Sequence, residues 1–292
     1  MKTQSIPYTN YSEQNRIEMV DFYNEATEDY EFWSNDYNMH FGYFIPFKTN
    51  PFKRDSMLNE MNNQVTKRLN INKTKNRLID LGCGMGATMR YALKNYKNVV
   101  AYGVTLSDFQ VKKGNELLKG KNGIILKENY NNTSFQSNSF DSAVAIESFC
   151  HSGHNFNSLK EMHRLLKPGG RFVMADAFLK KDKAQLCKGG KYAYNKLCNH
   201  WSLEKLETHQ FIKESLEEIG FTNIKVEDIS MRVAPSVLHV PFAILGFIFK
   251  KIFGFKNLKR ESLHNLKGSF YALLSGLHLK SFGYYIISAT KR

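Results

Sequence analysis

The stretch Leu78-Ile79-Asp80-Leu81-Gly82-Cys83-Gly84-Met85-Gly86 decides how this chain is read. An apolar run ends in an acid, a glycine-rich turn begins two residues later, and a helix-like segment follows. Glycines at 82, 84 and 86 permit a sharp turn and let the backbone approach a bound molecule without a Cβ in the way. In a dinucleotide site the loop would hold a pyrophosphate at the helix N-terminus, and the Asp80 carboxylate would repel it. The third glycine also falls one residue too early for the G-x-G-x-x-G spacing. A ligand with an ammonium group and no phosphate suits Asp80 instead.

S-adenosylmethionine has that chemistry: an amino-acid tail, a ribose and an adenine. Methyl transfer is the activity that follows from it. Outward from the glycine loop the pattern alternates. Strands are expected at Arg77–Leu81, Val99–Val104, Ile124–Lys127, Phe140–Ile146 and Arg171–Ala177. Between them come helices at Ala87–Asn95, at Asp108–Lys119 with Ser107 as its N-cap, and at Leu159–Leu166, stopped by Pro168-Gly169-Gly170. A helix over Leu203–Ile219 closed by Gly220, a strand over Thr222–Ile229 and a last strand over Tyr284–Ala289 complete the series. This alternation predicts an α/β fold: a Rossmann-like, seven-stranded, mostly parallel sheet with helices on both faces.

One catalytic domain over 1–292 is the expected organisation, decorated at two places. Residues 1–70 read as an N-terminal helical and aromatic lid, with Ile17, Val20, Tyr23 and Tyr30 near helical spacing and a second helix over Ser56–Leu69. Residues 231–278 read as a substrate-cap insertion containing the apolar run Val237–Phe249. That run is interrupted by His239, Pro241 and Gly246 and is too short to span a bilayer.

Lys plus Arg exceed Asp plus Glu by 41 to 27, a formal charge of +14. The basic residues are spread along the chain with no arginine-rich arm or RNA-binding motif, so no nucleic-acid partner is expected. The charge suits an acidic small molecule or surface. Lys250 and Lys251 beside the apolar run point to a hydrophobic substrate, compatible with an acidic head, and to peripheral contact with a membrane. The N-terminus lacks the apolar core of a secretory signal, which makes the cytoplasm the expected location. Four cysteines show no CxxC pair or zinc spacing; they are read as reduced thiols, and no metal site is expected.

Open parallel sheets bind ligands beyond the carboxyl ends of their strands, and each remaining motif falls at such an end. After the second strand come Thr105, Leu106 and Ser107, with Gln110 one turn into the helix. Their side chains can serve the ribose or the carboxylate of the cofactor; Ser107 and Asp108 could equally just begin a helix. After the third strand, Asn129 can accept from the adenine amine and Tyr130 can pack on the purine. After the fourth come Glu147 and His151, where the methyl group should emerge. His151 is a candidate general base and Glu147 a candidate base or cation stabiliser; His151 could also simply hold its loop.

Together these residues resemble class I S-adenosylmethionine-dependent methyltransferases, in the branch of tocopherol, sterol and prenyl diphosphate C-methyltransferases. The resemblance rests on Asp80–Gly86, Gly103–Ser107 with Gln110, Phe140-Asp141, Glu147-Ser148, His151 and Leu166–Gly170. It covers roughly 75–180, and extends more weakly to Met39-His40-Phe41-Gly42-Tyr43. It implies S-adenosylmethionine as cofactor, held by Asp80, Gly82, Cys83, Gly84, Gly86, Thr105, Leu106, Ser107, Gln110, Asn129, Tyr130 and Glu147. Tyr37, His40 and Tyr43 are its lid candidates over the cofactor. Asn129 departs from the aspartate usual there. C-methylation of an isoprenoid or lipid-like molecule is the first expectation. N- or O-methylation of a hydrophobic natural product or phospholipid precursor is the alternative, and a non-catalytic cofactor-binding protein ranks below both.

Overall fold

Seven strands pair into one sheet: β1 (Asn76–Leu81), β2 (Val99–Thr105), β3 (Gly123–Lys127), β4 (Phe140–Ile146), β5 (Leu166–Leu179), β6 (Phe221–Asp228) and β7 (Phe282–Lys291). The computed structural model that shows this describes residues 33–71, 75–152, 155–201, 203, 205–253 and 260–292. Across the sheet the order is β3-β2-β1-β4-β5-β7-β6. The first five are mutually parallel, and β7 runs antiparallel to both β5 and β6. Chain order reverses between β1 and β4, which makes their carboxyl ends the natural crevice.

The helices are α1 (Arg54–Arg68), α2 (Ala87–Asn95), α3 (Asp108–Leu118), α4 (Asn155–Leu165), α5 (Lys188–His200), α6 (His209–Ile219), α7 (Ser230–Val237), α8 (Val240–Phe253) and α9 (Arg260–Leu277). Met61 and Val65 of α1, Met89 of α2 and Val233 of α7 pack on one face, against Leu78, Val144 and Val173. Leu159 and Met162 of α4, with Ile212 and Leu216 of α6, pack on the other, against Ile79, Ala143 and Met174. Adjacent strand residues thus face opposite cores. That is why these central strands are apolar runs rather than alternating ones. Each such side chain contributes about 1.5–3 kcal/mol by leaving water.

A third cluster, including Leu179, Leu186, Leu197, Leu203, Leu206 and Phe282, seats α5 beyond the carboxyl end of β5. It accounts for two differences from the sequence reading. The helix expected from Leu203 begins at His209, because the Thr208 hydroxyl accepts from Phe211 N–H at 3.1 Å and caps it there. Leu203 and Leu206 are instead buried in the cluster. The sequence reading assigned no element to α5, which opens on Gly189 and Gly190. Pro168-Gly169-Gly170, expected to lie between a helix and a strand, falls inside the bounds of β5, beside a shift of pairing register between Phe140 and Ser142.

Residues 33–52 run between α1 and α7. Tyr43 N–H donates to Met57 O at 2.8 Å, Phe44 N–H to Arg232 O at 2.7 Å and Gly42 N–H to Ser236 Oγ at 2.8 Å. Gly42 permits this approach, since a Cβ there would sit 2.5 Å from the Met57 Cβ. Ile17, Val20, Tyr23 and Tyr30 lie outside the described residues. Among the described residues no helix is long and apolar enough to cross a membrane.

Candidate active site

A cleft opens over the tips of β1, β2 and β4. It is lined by Asp80, Gly82, Cys83 and Gly84 from the first tip, and by Thr105, Leu106, Ser107 and Gln110 from the second. Tyr130, Glu147, Ser148 and His151 complete the wall, with Tyr37, Met39 and His40 from the N-terminal segment. The sequence reading thus named most of the lining. Three of its candidates lie elsewhere. Gly86 caps α2 with a φ of 73°. Asn129, whose Oδ1 accepts from Asn131 N–H at 2.9 Å, is not among the residues that line the cleft. Tyr43 packs against the core beneath α1 and α2.

The glycine loop is shaped for close approach. Gly82 has a φ of 82°, and a Cβ there would lie 2.4 Å from the Ser148 Cβ. Ser148 Oγ donates to Leu81 O at 2.6 Å, which ties the β4 tip to the β1 tip. Tyr130 donates to Ser148 O at 2.8 Å and stacks one ring face on Phe149. Arg90 donates to both Met85 O and Asp36 O, fastening the N-terminal segment to the loop.

Asp80 is 3% exposed, and burial pushes its carboxyl up to about 7. Among the described residues none donates a hydrogen bond to it. A buried acid without a donor is a site waiting for one. At the β2 tip, Thr105 Oγ1 donates to Gln110 Oε1 at 2.5 Å, and Ser107 Oγ accepts from Gln110 N–H at 3.2 Å. Ser107 is therefore both the N-cap and a lining residue, so the two readings of it coexist.

His40 is buried, with Nδ1 2.9 Å from Phe41 O and Nε2 3.2 Å from Asn62 Oδ1; burial lowers its pKa. Its hydrogen bonds give it a structural task alongside its place in the lining. His151 is pushed down to about 4 by burial, so its ring is neutral at pH 7 and able to take a proton. Glu147 adopts a φ of 47°, uncommon for a residue with a side chain. Its Oε1 accepts from Phe41 N–H at 2.6 Å and from the Tyr284 hydroxyl at 2.7 Å. Burial nevertheless pushes this carboxyl up to about 8.

A second, larger cavity adjoins the first, and Met39, Glu147 and His151 line both. Its wall is largely apolar, with Phe41, Trp201, Leu206, Val233, Leu273 and Phe282. Asp176, Cys150 and Tyr284 interrupt it. The sequence reading did not single out any of these three. Asp176 left one signal, as the lone acid inside the apolar strand Arg171–Ala177.

Comparison with known proteins places this geometry. Residues 79–174 match the methyltransferase domain family. Over that stretch the chain is similar to that family. Among curated proteins it is 28% identical over 215 residues to 24-methylenesterol C-methyltransferase 2 of Arabidopsis thaliana, covering 72% of this chain and 57% of that protein. The chain spans about half the length of the curated relatives it matches first. Among solved structures, a cyclopropane synthase from Mycobacterium tuberculosis superposes with a TM-score of 0.78 at 16% identity, over 97% of this chain and 100% of that one. The geranyl diphosphate C-methyltransferase of Streptomyces coelicolor A3(2) gives 0.73 at 16%, over 97% and 100%. The fold is therefore the Rossmann-like methyltransferase fold, as the strand pattern predicts.

Proposed function

We propose that this chain is an S-adenosylmethionine-dependent methyltransferase that methylates a lipophilic small molecule, isoprenoid or lipid-like, on carbon. The observation that carries the reading is the junction of two cavities, one polar at the strand tips and one apolar, at Met39, Glu147 and His151. The similarity to the methyltransferase domain family and the sterol C-methyltransferase relatives support it, as do solved neighbours whose structures hold S-adenosylmethionine or S-adenosylhomocysteine.

The residues present fit the cofactor. Asp80 has no donor among the described residues and would take the ammonium group. Thr105, Ser107 and Gln110 would serve the ribose or the carboxylate, and Leu106 and Tyr130 would border the adenine. Gly82 and Gly84 let Ser148 and Met39, which also line the cleft, pack against the loop where a Cβ would meet them. Tyr37, Met39 and His40 would close over the bound molecule as the lid, and α7 to α9 would cap the acceptor.

When bound, S-adenosylmethionine supplies an electrophilic methyl group carried on a sulfonium. The chain's task is to align the acceptor with it and to exclude water, and alignment can supply about 7–11 kcal/mol of the barrier. Attack by an alkene leaves positive charge on the acceptor. The rings of Phe41, Trp201 and Tyr284 line that cavity, and each can stabilise a desolvated cation by about 0.5–2 kcal/mol. The neutral His151 ring can accept the departing proton. The same ring also favours the second reading, N- or O-methylation, in which it would deprotonate an amine or hydroxyl.

The test is to incubate the protein with methyl-tritiated S-adenosylmethionine and a lipid extract. Label in an organic-soluble product supports the reading. Tight cofactor binding with no label transferred to any fraction would identify a cofactor-binding protein instead.

A further inference from the structure

Several large apolar side chains stand in solvent where the N-terminal segment meets α7 and α8. Phe47 and Phe52 lie on the loop before α1. Phe47 is fully exposed at a φ of 62°, and Phe52 is 88% exposed. His239 Nε2 lies 2.6 Å from Pro51 O, which sets that loop against the turn between α7 and α8. Leu238 caps α7 at this turn, and the exposed Phe242 and Leu245 follow at neighbouring positions on α8.

The same face runs to the mouth of the larger cavity. Leu238, Leu277 and Leu279 line that cavity and are also exposed, so they form its rim. There α9 reaches α7: a Cβ on Gly276 would lie 3.9 Å from Val237 Cγ1. An exposed apolar face of this extent marks a contact surface, and its charge says what covers it. Residues 230–280 hold eight lysines and arginines against one acid, Glu261, and so supply half of the chain's formal charge of +14. Among the described side chains, exposed Lys53, Arg232 and Lys280 each directly follow an exposed apolar residue: Phe52, Met231 and Leu279. Apolar groups interleaved with cations fit the headgroup boundary of an anionic bilayer. A second copy of so basic a face would repel the first.

We infer that this face docks on the surface of an anionic phospholipid bilayer. Phe47, Phe52, Phe242 and Leu245 enter the headgroup boundary, and the cavity mouth rests against it. A lipophilic molecule dissolved in the bilayer then passes Leu238, Leu277 and Leu279 into the cavity without crossing water. The docking goes beyond the methyltransferase reading and needs neither cofactor nor turnover.

The full chain is sedimented with sucrose-loaded vesicles of phosphatidylcholine, alone or with a third of the lipid replaced by phosphatidylglycerol. Partitioning onto the anionic vesicles is expected to be at least about tenfold stronger than onto the neutral ones, and to weaken as salt rises. Phe52→Ser and Phe242→Ser, both at exposed positions, should each lower it at least about fivefold through lost apolar contact, with the thermal melt unchanged. Ile124→Ser removes an exposed apolar side chain from β3, at the opposite end of the sheet from β6, and should leave partitioning as it is. In Phe242→Trp, emission should be quenched by chain-brominated lipid in the anionic vesicles more than in the wild type. No partitioning onto either vesicle overturns the inference. So does binding that both phenylalanine variants keep in full, which is charge attraction alone. A lipid-free dimer that these variants dissolve also overturns it and makes the face a contact between copies. Methyl transfer to a lipid extract without vesicle binding removes the docking and leaves the methyltransferase reading standing; vesicle binding without transfer does the reverse.

Discussion

The Tyr284 hydroxyl donates to Glu147 Oε1 at 2.7 Å, joining the last strand of the sheet to the tip of β4. Tyr284 is 7% exposed, and its hydroxyl pKa is driven well up by burial and by the neighbouring acids, Glu147 first. The phenol therefore stays protonated and orients the carboxyl at the junction of the two cavities. Tyr284→Phe keeps the ring in the core and deletes one donor. A hydrogen bond between neutral groups contributes about 0.5–1.5 kcal/mol, and at this place it acts on geometry. The expected result is a kcat lowered about tenfold, the equivalent of about 1.4 kcal/mol in the barrier, with the melting temperature changed by only a few degrees. Steady-state kinetics alongside a thermal melt check it; an unchanged kcat would reduce the pair to a structural contact.

Asp80→Asn separates binding from folding. The buried carboxyl has no donor among the described residues, so ionising it in the free protein is unfavourable. The amide is nearly isosteric and carries no charge. Stability should hold or rise, while cofactor affinity falls at least about tenfold because the ammonium loses its counter-ion. Calorimetric titration with S-adenosylhomocysteine, which keeps that ammonium, measures the second effect. Undiminished affinity would move the amino-acid tail away from Asp80.

The sheet was legible because its central strands are apolar runs ending at glycine and capping residues, and those signals are local. Ser107 before Asp108, and Gly220 after Ile219 with a φ of 105°, mark boundaries that the structure keeps. The polar cleft was legible for the same reason, since its residues follow strand ends in sequence. The apolar cavity was not. Asp176, Cys150 and Tyr284 come from β5, the turn after β4 and β7, and they meet only once the sheet has formed. Leu203 and Leu206 continued a helical pattern in sequence, yet burial against α5 took them out of it.

The three acids give the free protein a definite pH response. Burial raises Asp176 to about 6, Asp80 to about 7 and Glu147 to about 8, all above their unfolded values. At these three sites the native state binds more protons than the unfolded state between pH 4 and 8, and the stability they contribute is lost as pH rises. His40 and His151, buried neutral, work the other way below about pH 7, so the melting temperature of the free protein should fall from pH 7 to pH 8, more steeply than in Asp80→Asn. An ammonium at Asp80 draws that carboxyl back down, so cofactor binding should release a proton near pH 7 and tighten with rising pH. Calorimetry in buffers of different ionisation enthalpy counts that proton; no net release would contradict the pairing.

Gly82 and Gly84 both hold left-handed backbone, and the cost of a side chain should differ between them. At φ values of 82° and 52° each Ala variant bears about 1–2 kcal/mol of backbone strain. At Gly84 the new Cβ would meet the Met39 sulfur at 2.9 Å, a group on a flexible side chain that can shift. At Gly82 it would meet the Ser148 Cβ at 2.4 Å, where the backbone itself must yield and the Ser148 bond to Leu81 O is lost. Gly82→Ala should therefore lower the melting temperature by several degrees more than Gly84→Ala. The milder variant should still weaken cofactor binding, because Met39 lines the cleft and would be pushed into it. Paired thermal melts and titrations decide the matter: equal destabilisation would mean that the β4 tip moves freely against the glycine loop.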